Sequence, residues 1–424
     1  MQISEIRYHL NNRKLDNIFE QLYVDKNLFE RQYDRYEKAL ECYSRHFDNE
    51  DVMILSSSGR TEVCGNHTDH QRGCVVAASL NLDAIAVVSK ADHTVAVVSE
   101  DEVYPRIDAD DHSLRTEEYS TSSALIRGVI SRLDALGYQT GGFNAYITSD
   151  VLIGSGMSSS ACFEVLIGTI ISWLYNDGDI DPLVLAQCGQ YAENVYFNKP
   201  CGLMDQVACS VGGMVTIDFK DADHPAVEKI NTQFSDFHLS LCIVDTKGSH
   251  ADLTDEYAAV PREMKEIAAY FDKDVLREVS EEDFYGHLDG LREKYGDRAV
   301  LRAIHFFNEQ KRVRTLIDAL KAQNKPLFES VIKESGDSSY KYLQNVYANS
   351  DCTNQSVSLA LCISEMLLKG HGVCRVHGGG FSGTIQAFVD DDYVSTYKEE
   401  IEKYFGKDSC HVLKIRDIST IKVI

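Results

Sequence analysis

The chain has 424 residues, 25% charged and 44% hydrophobic, and 42 Lys and Arg residues against 66 Asp and Glu residues give a net charge of −24. At roughly 100–200 residues per domain, this length predicts two or three domains with sizeable cores. The composition excludes collagenous, disordered and coiled-coil proteins. The acidic excess disfavours non-specific binding to nucleic acid or to a membrane surface, because the long-range field repels phosphate. It does not forbid a small anionic ligand held by local contacts.

Neither the N-terminus nor the most apolar stretch predicts a targeting or membrane segment. Residues 1–10 have no basic region followed by an apolar run, so we expect no signal peptide. Residues 165–174 are too few to span a bilayer, which takes about 20 residues. We therefore expect a cytoplasmic protein. Its 12 cysteines are scattered without a CxxC pair, which favours reduced thiols over disulfides or a cysteine metal site.

The first half of the chain predicts a helical segment followed by an α+β domain. Residues 1–50 read as a charge-laced helical segment packed on the domain that follows. Short β-like runs come next, at 52–55, 75–79, 84–89 and 94–99. A helix is expected over 122–136, and apolar residues alternate with polar ones in a strand over 143–148.

The second half predicts another α+β domain. It opens with an apolar strand over 239–244, followed by helical segments at 256–270, 297–322 and 357–368. Strands at 373–377 and 384–389, a helix at 394–404 and a strand at 411–415 close the chain. A polar stretch at 220–236 separates the halves. We therefore predict an N-terminal domain over 51–228 and a C-terminal domain over 229–424.

A small-residue loop between a strand and an apolar helix predicts a phosphate site. It consists of Gly154, Gly156 and three consecutive serines, Ser158, Ser159 and Ser160. Glycines before a helix let backbone N–H groups turn toward an anion, and the serine hydroxyls add donors. An ordinary serine N-cap is the alternative, but three serines exceed what a cap needs. No GxxxxGK[ST] motif is present, which excludes a P-loop nucleotidase.

A second glycine cluster, 378–383, matches the GxGxxG pattern of dinucleotide-binding folds. That pattern requires a helix directly after the glycines, whereas residues 384–389 read as a strand. We therefore reject the dinucleotide interpretation. A glycine hairpin that approaches a ligand closely and a tight turn with a purely structural role both remain open.

A third segment, Gly59 to His70, is predicted to be a polar loop after a buried strand. It concentrates Arg60 and four further polar residues, Asn66, His67, Asp69 and His70. Closely spaced donors and acceptors suit a ligand with many hydroxyl groups, since each hydroxyl both donates and accepts. Metal binding by the two histidines and the aspartate is an alternative, although no further cluster completes a site. A solvated loop without a ligand is the third possibility.

These segments, in this order, resemble the GHMP small-molecule kinase family and, within it, the galactokinases. Residues 59–73 are similar to the sugar-binding signature, 154–161 to the phosphate loop, 200–206 to the loop with the catalytic aspartate, and 376–383 to the C-terminal glycine motif. The resemblance extends from about Phe47 to the C-terminus. It implies a two-domain α+β GHMP kinase fold. The N-terminal domain would be like domain 2 of ribosomal protein S5, the C-terminal domain ferredoxin-like, and the active site would lie between them.

The resemblance also implies an ATP-dependent sugar 1-kinase that uses Mg²⁺, most simply with galactose as the sugar. Asp205 would face the anomeric hydroxyl, with Arg60 beside it. Glu193 and the hydroxyl of Ser160 would bind magnesium. Asn66, His67, Asp69, Gly202 and Tyr257 would contact the sugar. Gly154, Gly156, Ser158, Ser159, Ser160, Gly379 and Gly380 would contact the nucleotide phosphates.

Two departures from the galactokinase pattern leave the substrate open. Asn66 stands where galactokinases usually carry glutamate, and His70 replaces a tyrosine. An amide can donate as well as accept and does not repel a negatively charged C6 group, so galacturonate is an alternative substrate. A sensor that binds sugar and nucleotide without transfer is a second alternative, although Ser160 and Ala161 favour catalysis. The expected partners are the sugar and ATP, not nucleic acid or a membrane, in a monomer or a dimer.

Overall fold

The structure is a computed structural model that describes residues 1–100, 102–151, 157–248, 253–381 and 383–424. Its helices are α1 (Ile3–Asn11), α2 (Asp16–Tyr23), α3 (Phe29–His46), α4 (Ser122–Ala135), α5 (Ser159–Tyr175), α6 (Pro182–Tyr191), α7 (Met204–Val211), α8 (Thr254–Ala269), α9 (Glu281–Gly286), α10 (Leu288–Lys321), α11 (Lys325–Ser338), α12 (Ser356–Leu367) and α13 (Val394–Phe405). Within α10 the backbone breaks at Gly296, where φ is 81°.

The strands are β1 (Met53–Cys64), β2 (Cys74–Lys90), β3 (Thr94–Ser99), β4 (Glu102–Val103), β5 (Ile107–Asp108), β6 (Phe143–Ser149), β7 (Met214–Asp218), β8 (Ala226–Ile230), β9 (Leu239–Asp245), β10 (Gly372–Val376), β11 (Thr384–Asp390), β12 (Cys410–Leu413) and β13 (Ile421–Lys422). Among the described residues, none of the helices combines the length and the apolar character that a membrane crossing needs.

A nine-stranded sheet carries helices on both faces. Its main path runs β13-β1-β2-β6-β3-β4; β3 and β6 pair in parallel, and its other pairs of described strands are antiparallel. Side chains along β2 alternate between the faces, as the period of a strand requires. Ala86 and Val88 pack with α4 and α5, whereas Ile85 and Val87 pack with α1, α2 and α3. The helical segment at the N-terminus thus covers one face of this sheet, and the helix after the phosphate loop is buried on the other.

A four-stranded antiparallel sheet of order β10-β11-β9-β12 forms the second half. The chain enters at β9, passes through helices to the β10–β11 hairpin and returns through α13 to β12. That is the ferredoxin-like arrangement of two βαβ units, as the resemblance implied. The C-terminus then crosses back, and β13 pairs with β1 of the first sheet.

Two strand predictions were wrong in extent. The segment after Gly59 was expected to be a loop, but β1 continues to Cys64, with a register shift between Ser58 and Arg60 that re-aims the strand. Residues 75–79 and 84–89 were expected to be separate strands, but both lie in β2. The polar residues between them do not end the strand because the fold gives them partners. Asn81, for example, donates to the backbone carbonyl of Tyr23.

The polar stretch at 220–236 contains β8, which pairs with β7 at the edge of the first sheet. Helices α6 and α11 and strands β7 and β8 were not predicted from the sequence. A division of the chain into domains at residue 228 stays a prediction.

Candidate active site

A buried arginine and an aspartate from the two ends of the N-terminal half form the centre of the site. Arg60 projects from β1 and is 5% exposed, and Asp205 lies in the first turn of α7. The guanidinium donates from Nε to Oδ1 at 2.7 Å and from Nη2 to Oδ2 at 2.6 Å. Burial alone would raise the pKa of the Asp205 carboxyl, but the Arg60 charge and hydrogen bonds outweigh it and hold the pKa below the ordinary value. Asp205 is therefore ionised at neutral pH.

The serine run of the predicted phosphate loop lies beside Asp205. Ser158 has a left-handed backbone, with φ 56°, and its hydroxyl donates to Oδ2 of Asp205. Ser159 and Ser160 form the first turn of α5, which has no acidic residue in that turn. The unpaired N–H groups at such a helix start favour an anion. The predicted phosphate contacts Gly154 and Gly156 lie outside the described residues.

The predicted magnesium ligands lie next to each other. The hydroxyl of Ser160 donates to Oε1 of Glu193 at 3.3 Å, and Glu193 sits in a π-helical turn, 192–196, that follows α6. Such turns are frequent at functional sites. Lys199 donates to the same Oε1 at 2.8 Å, and Gln206 donates to Oε2 at 3.1 Å. One carboxylate and one hydroxyl fit a magnesium ion that keeps waters and phosphate oxygens as its other ligands.

An aspartate and a glycine of the predicted sugar site approach each other closely. A Cβ atom added to Gly202 would lie 1.7 Å from Oδ2 of Asp69, so only glycine leaves room for this carboxylate. The backbone N–H of His70 donates to Oδ1 of Asp69 at 2.9 Å. Burial and then the charge of Asp205 raise the pKa of Asp69 to about 6. The negative charge of Asp205 therefore makes ionisation of Asp69 less favourable.

The glycine hairpin between β10 and β11 lies against two of the predicted sugar-binding residues. His67 hydrogen-bonds through Nε2 to the carbonyl of Gly379 at 3.1 Å, and the Tyr257 hydroxyl donates to the carbonyl of Gly380 at 2.9 Å. A Cβ on Gly379 would lie 2.6 Å from the Tyr257 ring. The strand β11 that follows bears out the rejection of a dinucleotide fold. Phosphate binding by Gly379 and Gly380 stays a prediction.

Asn66 is buried, and its amide is saturated by protein groups. Nδ2 donates to Oε2 of Glu62 at 3.1 Å and to the carbonyl of Gly378 at 2.7 Å. Oδ1 accepts from Nδ2 of Asn345 at 2.8 Å and from the hydroxyl of Ser339 at 3.4 Å. These four bonds use the whole capacity of an amide. In this structure Asn66 joins the sugar signature to the glycine hairpin, and its contact with a sugar stays a prediction.

Sequence reasoning missed two charged residues of this region. Glu62 lies on β1, is 3% exposed and accepts from Nη2 of Arg375 at 3.0 Å. Lys199 precedes the loop of Asp205 and contacts Glu193. Glu62 could have been suspected, because it lies between Arg60 and Asn66 in the segment that resembles the sugar-binding signature. For Lys199, the only signal in the sequence is that it directly precedes the 200–206 motif.

Asn66→Glu is expected to destabilise the fold by about 3 kcal/mol, because it would set a second buried carboxylate beside Glu62 and remove two donated hydrogen bonds. Urea unfolding of both proteins measures this free energy.

Glu62→Gln is the background that isolates the cause. In the Glu62→Gln protein, a glutamate at position 66 meets no second carboxylate. Asn66→Glu should therefore destabilise that protein less than half as much as it destabilises the wild type. An equal cost in both backgrounds would show that the two side chains do not interact.

Two segments of the chain match known protein families. Residues 124–213 match the GHMP kinases N terminal domain, and residues 41–90 match the galactokinase galactose-binding signature. These two segments contain Arg60, Asp69, Ser160, Glu193 and Asp205. The candidate site therefore lies in the parts of the chain that are similar to the GHMP kinase family.

Within that family, the chain is similar to galactokinases along most of its length. It is 28% identical to a galactokinase of Streptomyces coelicolor over 86% of this chain and 92% of the relative. It is 26% identical to one of Actinobacillus pleuropneumoniae over 88% and 94%. In structure, it superposes on a galactokinase of Lactococcus lactis complexed with galactose with a TM-score of 0.76, at 24% identity over 90% of this chain and 98% of the other. A mevalonate kinase of Methanococcus jannaschii gives a TM-score of 0.60 at 15% identity, over 86% and 98%.

Proposed function

We propose that the chain is an ATP-dependent sugar 1-kinase that converts ATP and galactose to ADP and galactose 1-phosphate. The observation that carries this proposal is the bidentate Arg60–Asp205 pair, in which Asp205 also accepts from Ser158 at the start of α5 and acts electrostatically on Asp69. Asp205 can thus accept from the acceptor hydroxyl while the start of α5 binds a phosphate. The galactokinase relatives supply the nature of the acceptor.

Asp205 accepts the hydrogen bond of the anomeric hydroxyl and fixes its direction toward the γ-phosphorus. Because Arg60 holds its pKa low, Asp205 is a weak base in the ground state. A loose phosphoryl transfer needs no strong base, since the hydroxyl becomes acidic only as its bond to phosphorus forms. The anomeric oxygen then gains that bond, the bond from the γ-phosphorus to the bridging oxygen breaks, and ADP leaves. The hydroxyl proton passes to Asp205 and from there to water.

The start of α5 and Arg60 stabilise the negative charge that develops on the phosphoryl group. The hydroxyl of Ser158 donates to Asp205, and the N–H groups of the first turn of α5 follow directly in the chain. A bound magnesium ion would add neutralisation of the phosphate oxygens, held by Glu193 and Ser160. Fixed donors of this kind stabilise a transition state because they need no reorganisation during the reaction.

The sugar would lie between Asp69, His67 and Tyr257. Asp69 offers a carboxylate to a pair of hydroxyl groups, and Gly202 leaves the space for it. His67 and Tyr257 both hydrogen-bond to the glycine hairpin, so the hairpin would fix the outer wall of the sugar site. Rigid support of this type favours one orientation of the anomeric hydroxyl.

Galacturonate is the second candidate substrate. Asn66 removes the carboxylate found in galactokinases at this position, and His70 is a polar group in place of a tyrosine. Against it, burial and the nearby His67 hold the pKa of His70 well below its ordinary value, so this histidine offers no positive charge to a uronate. Galactose therefore remains the first choice, and a non-catalytic sensor the last.

A coupled ADP-release assay with galactose, glucose, arabinose, galacturonate and N-acetylgalactosamine tests the proposal. Galactose should give the highest kcat/KM, and ADP release without sugar should be slow. Highest turnover with galacturonate would select the second candidate. No sugar-dependent ADP release, together with measurable sugar binding, would select the sensor.

The rate of the reaction at low sugar concentration should fall below pH 6. Asp69 has a pKa of about 6, raised from 3.8, so this carboxyl is ionised above that pH and neutral below it. If ionised Asp69 accepts from the sugar, kcat/KM for the sugar should fall about tenfold per pH unit below pH 6. Asp205 stays ionised over this range because its pKa is low.

Asp69→Asn separates the two carboxylates. This variant should have a lower kcat/KM for the sugar that is flat between pH 5 and 7, whereas kcat/KM for ATP should hardly change. A variant that keeps the acid limb of the wild-type profile would show that another group titrates.

A further inference from the structure

Lys199 places a positive charge beside Glu193, one of the two predicted magnesium ligands. Its ammonium donates to Oε1 of Glu193 at 2.8 Å, and its backbone N–H donates to the carbonyl of Glu193 at 3.0 Å. The two side chains differ in exposure. That of Glu193 is 3% exposed and that of Lys199 is 60% exposed. The carboxylate of Glu193 is therefore buried, whereas the side chain of Lys199 is largely in contact with solvent.

The same ammonium acts on two more groups of the site. Burial is the main influence on the pKa of Tyr257, which it raises to about 12, and the Lys199 charge opposes it. The pKa of Asp205 is raised by burial and lowered by Arg60, by Ser158 and also by Lys199. Lys199 thus lies within electrostatic range of side chains from three elements: the turn after α6, α7 and α8. These are the groups assigned above to the metal, the acceptor hydroxyl and the sugar.

We propose that Lys199 is a catalytic residue whose ammonium leaves Glu193 and contacts the terminal phosphate when the nucleotide binds. This inference rests on the proposed function. The side chain of Lys199 is 60% exposed, so water screens its attraction to Glu193 and exchange of the carboxylate for a phosphate costs little. Lysine is a mobile point charge suited to phosphate oxygens. The exchange also frees Glu193 for the magnesium ion.

The charge balance of the chain supports this role. With a net charge of −24, the protein repels a polyanionic nucleotide at long range. Arg60 is held by Asp205 in a bidentate pair, so its charge is already shared. Lys199 adds a cation that can follow the γ-phosphoryl group as the bond to the bridging oxygen breaks and the bond to the sugar oxygen forms. No bond to Lys199 forms in this step.

Lys199→Met is the test variant, and Lys321→Met is its matched control. Lys321, at the end of α10, pairs with Glu228 at 2.9 Å and is 51% exposed, so it reports the loss of an ordinary surface ion pair. We expect Lys199→Met to lower kcat about 100-fold, with no rise in the magnesium concentration for half-maximal rate. Calorimetric titration with ATP in the presence of EDTA should give about tenfold weaker binding. Lys199→Arg should recover part of both losses.

A merely structural role for Lys199 predicts another pattern. If the lysine only holds Glu193 in place, its loss raises the magnesium requirement, and saturating magnesium restores kcat. That result, or kcat and metal-free ATP affinity within about twofold of the control, would overturn the proposal. A wild-type chain without sugar-dependent turnover would reject the proposed function instead, and the ATP titration would still decide on Lys199.

Discussion

Asp205→Asn is expected to lower the rate of sugar phosphorylation at least about 10³-fold, because it removes the charge that orients the acceptor hydroxyl and the group that takes its proton. Sugar affinity should change little, since Asp69, His67 and Tyr257 remain. Turnover is measured by coupled ADP release, and sugar affinity by calorimetry. Because the variant leaves the buried Arg60 without its carboxylate, the melting temperature must be measured with them.

Asp218→Asn is the matched control for this variant. Asp218 accepts from Nη2 of Arg277 at 3.0 Å, so it is also an aspartate paired with an arginine, but it is the last residue of β7 and is not among the residues assigned to the site. Its loss should leave kcat within about twofold of wild type, as for most surface substitutions. If Asp205→Asn retained full turnover with a normal melting temperature, the assigned role of Asp205 would be wrong.

Gly202→Ala is expected to reduce kcat/KM for the sugar about 100-fold, because the new methyl group would lie 1.7 Å from Oδ2 of Asp69. The carboxylate must leave its position, and the sugar loses an acceptor. The backbone of Gly202 has no left-handed conformation that alanine would avoid, so the clash alone causes the effect. KM for ATP should stay near its wild-type value. Steady-state kinetics with each substrate varied in turn measure both quantities.

Gly286→Ala controls for the added methyl group. Nothing lies within 4 Å of a Cβ at Gly286, so this substitution should leave both KM values unchanged. A Gly202→Ala enzyme with the wild-type KM and kcat for the sugar would show that Asp69 is not a sugar ligand. A decrease in kcat/KM for ATP alone would assign the Asp69 carboxylate to the nucleotide site.

The sequence predicted those parts of the site that local patterns encode. The strand after Gly383 could be predicted because its apolar residues alternate, and that one strand excluded a dinucleotide fold. The helix after the serine run could be predicted because most of its residues are apolar, and most of them are buried. Family resemblance then joined Arg60 to Asp205, which are 145 positions apart.

Other parts depend on contacts that no local pattern carries. Gly59 reads as the end of a strand, yet pairing with β2 extends β1 past it and puts Arg60 on the sheet. Asn66 reads as a free polar side chain, but its four partners come from β1, the glycine hairpin and the segment after α11. Lys199 reads as a surface lysine, and only the fold brings it to Glu193.

The identity of the product decides whether Asp205 acts on the anomeric hydroxyl. The wild-type chain is incubated with ATP, magnesium and galactose, and the product is analysed by phosphorus NMR with proton correlation. We expect a single new sugar phosphate whose phosphorus couples to the anomeric proton, formed in equal amount with ADP, and none with Asp205→Asn. A phosphate on any other sugar oxygen, or ADP formed in the same amount without sugar, would contradict the assignment of Asp205 to the anomeric hydroxyl.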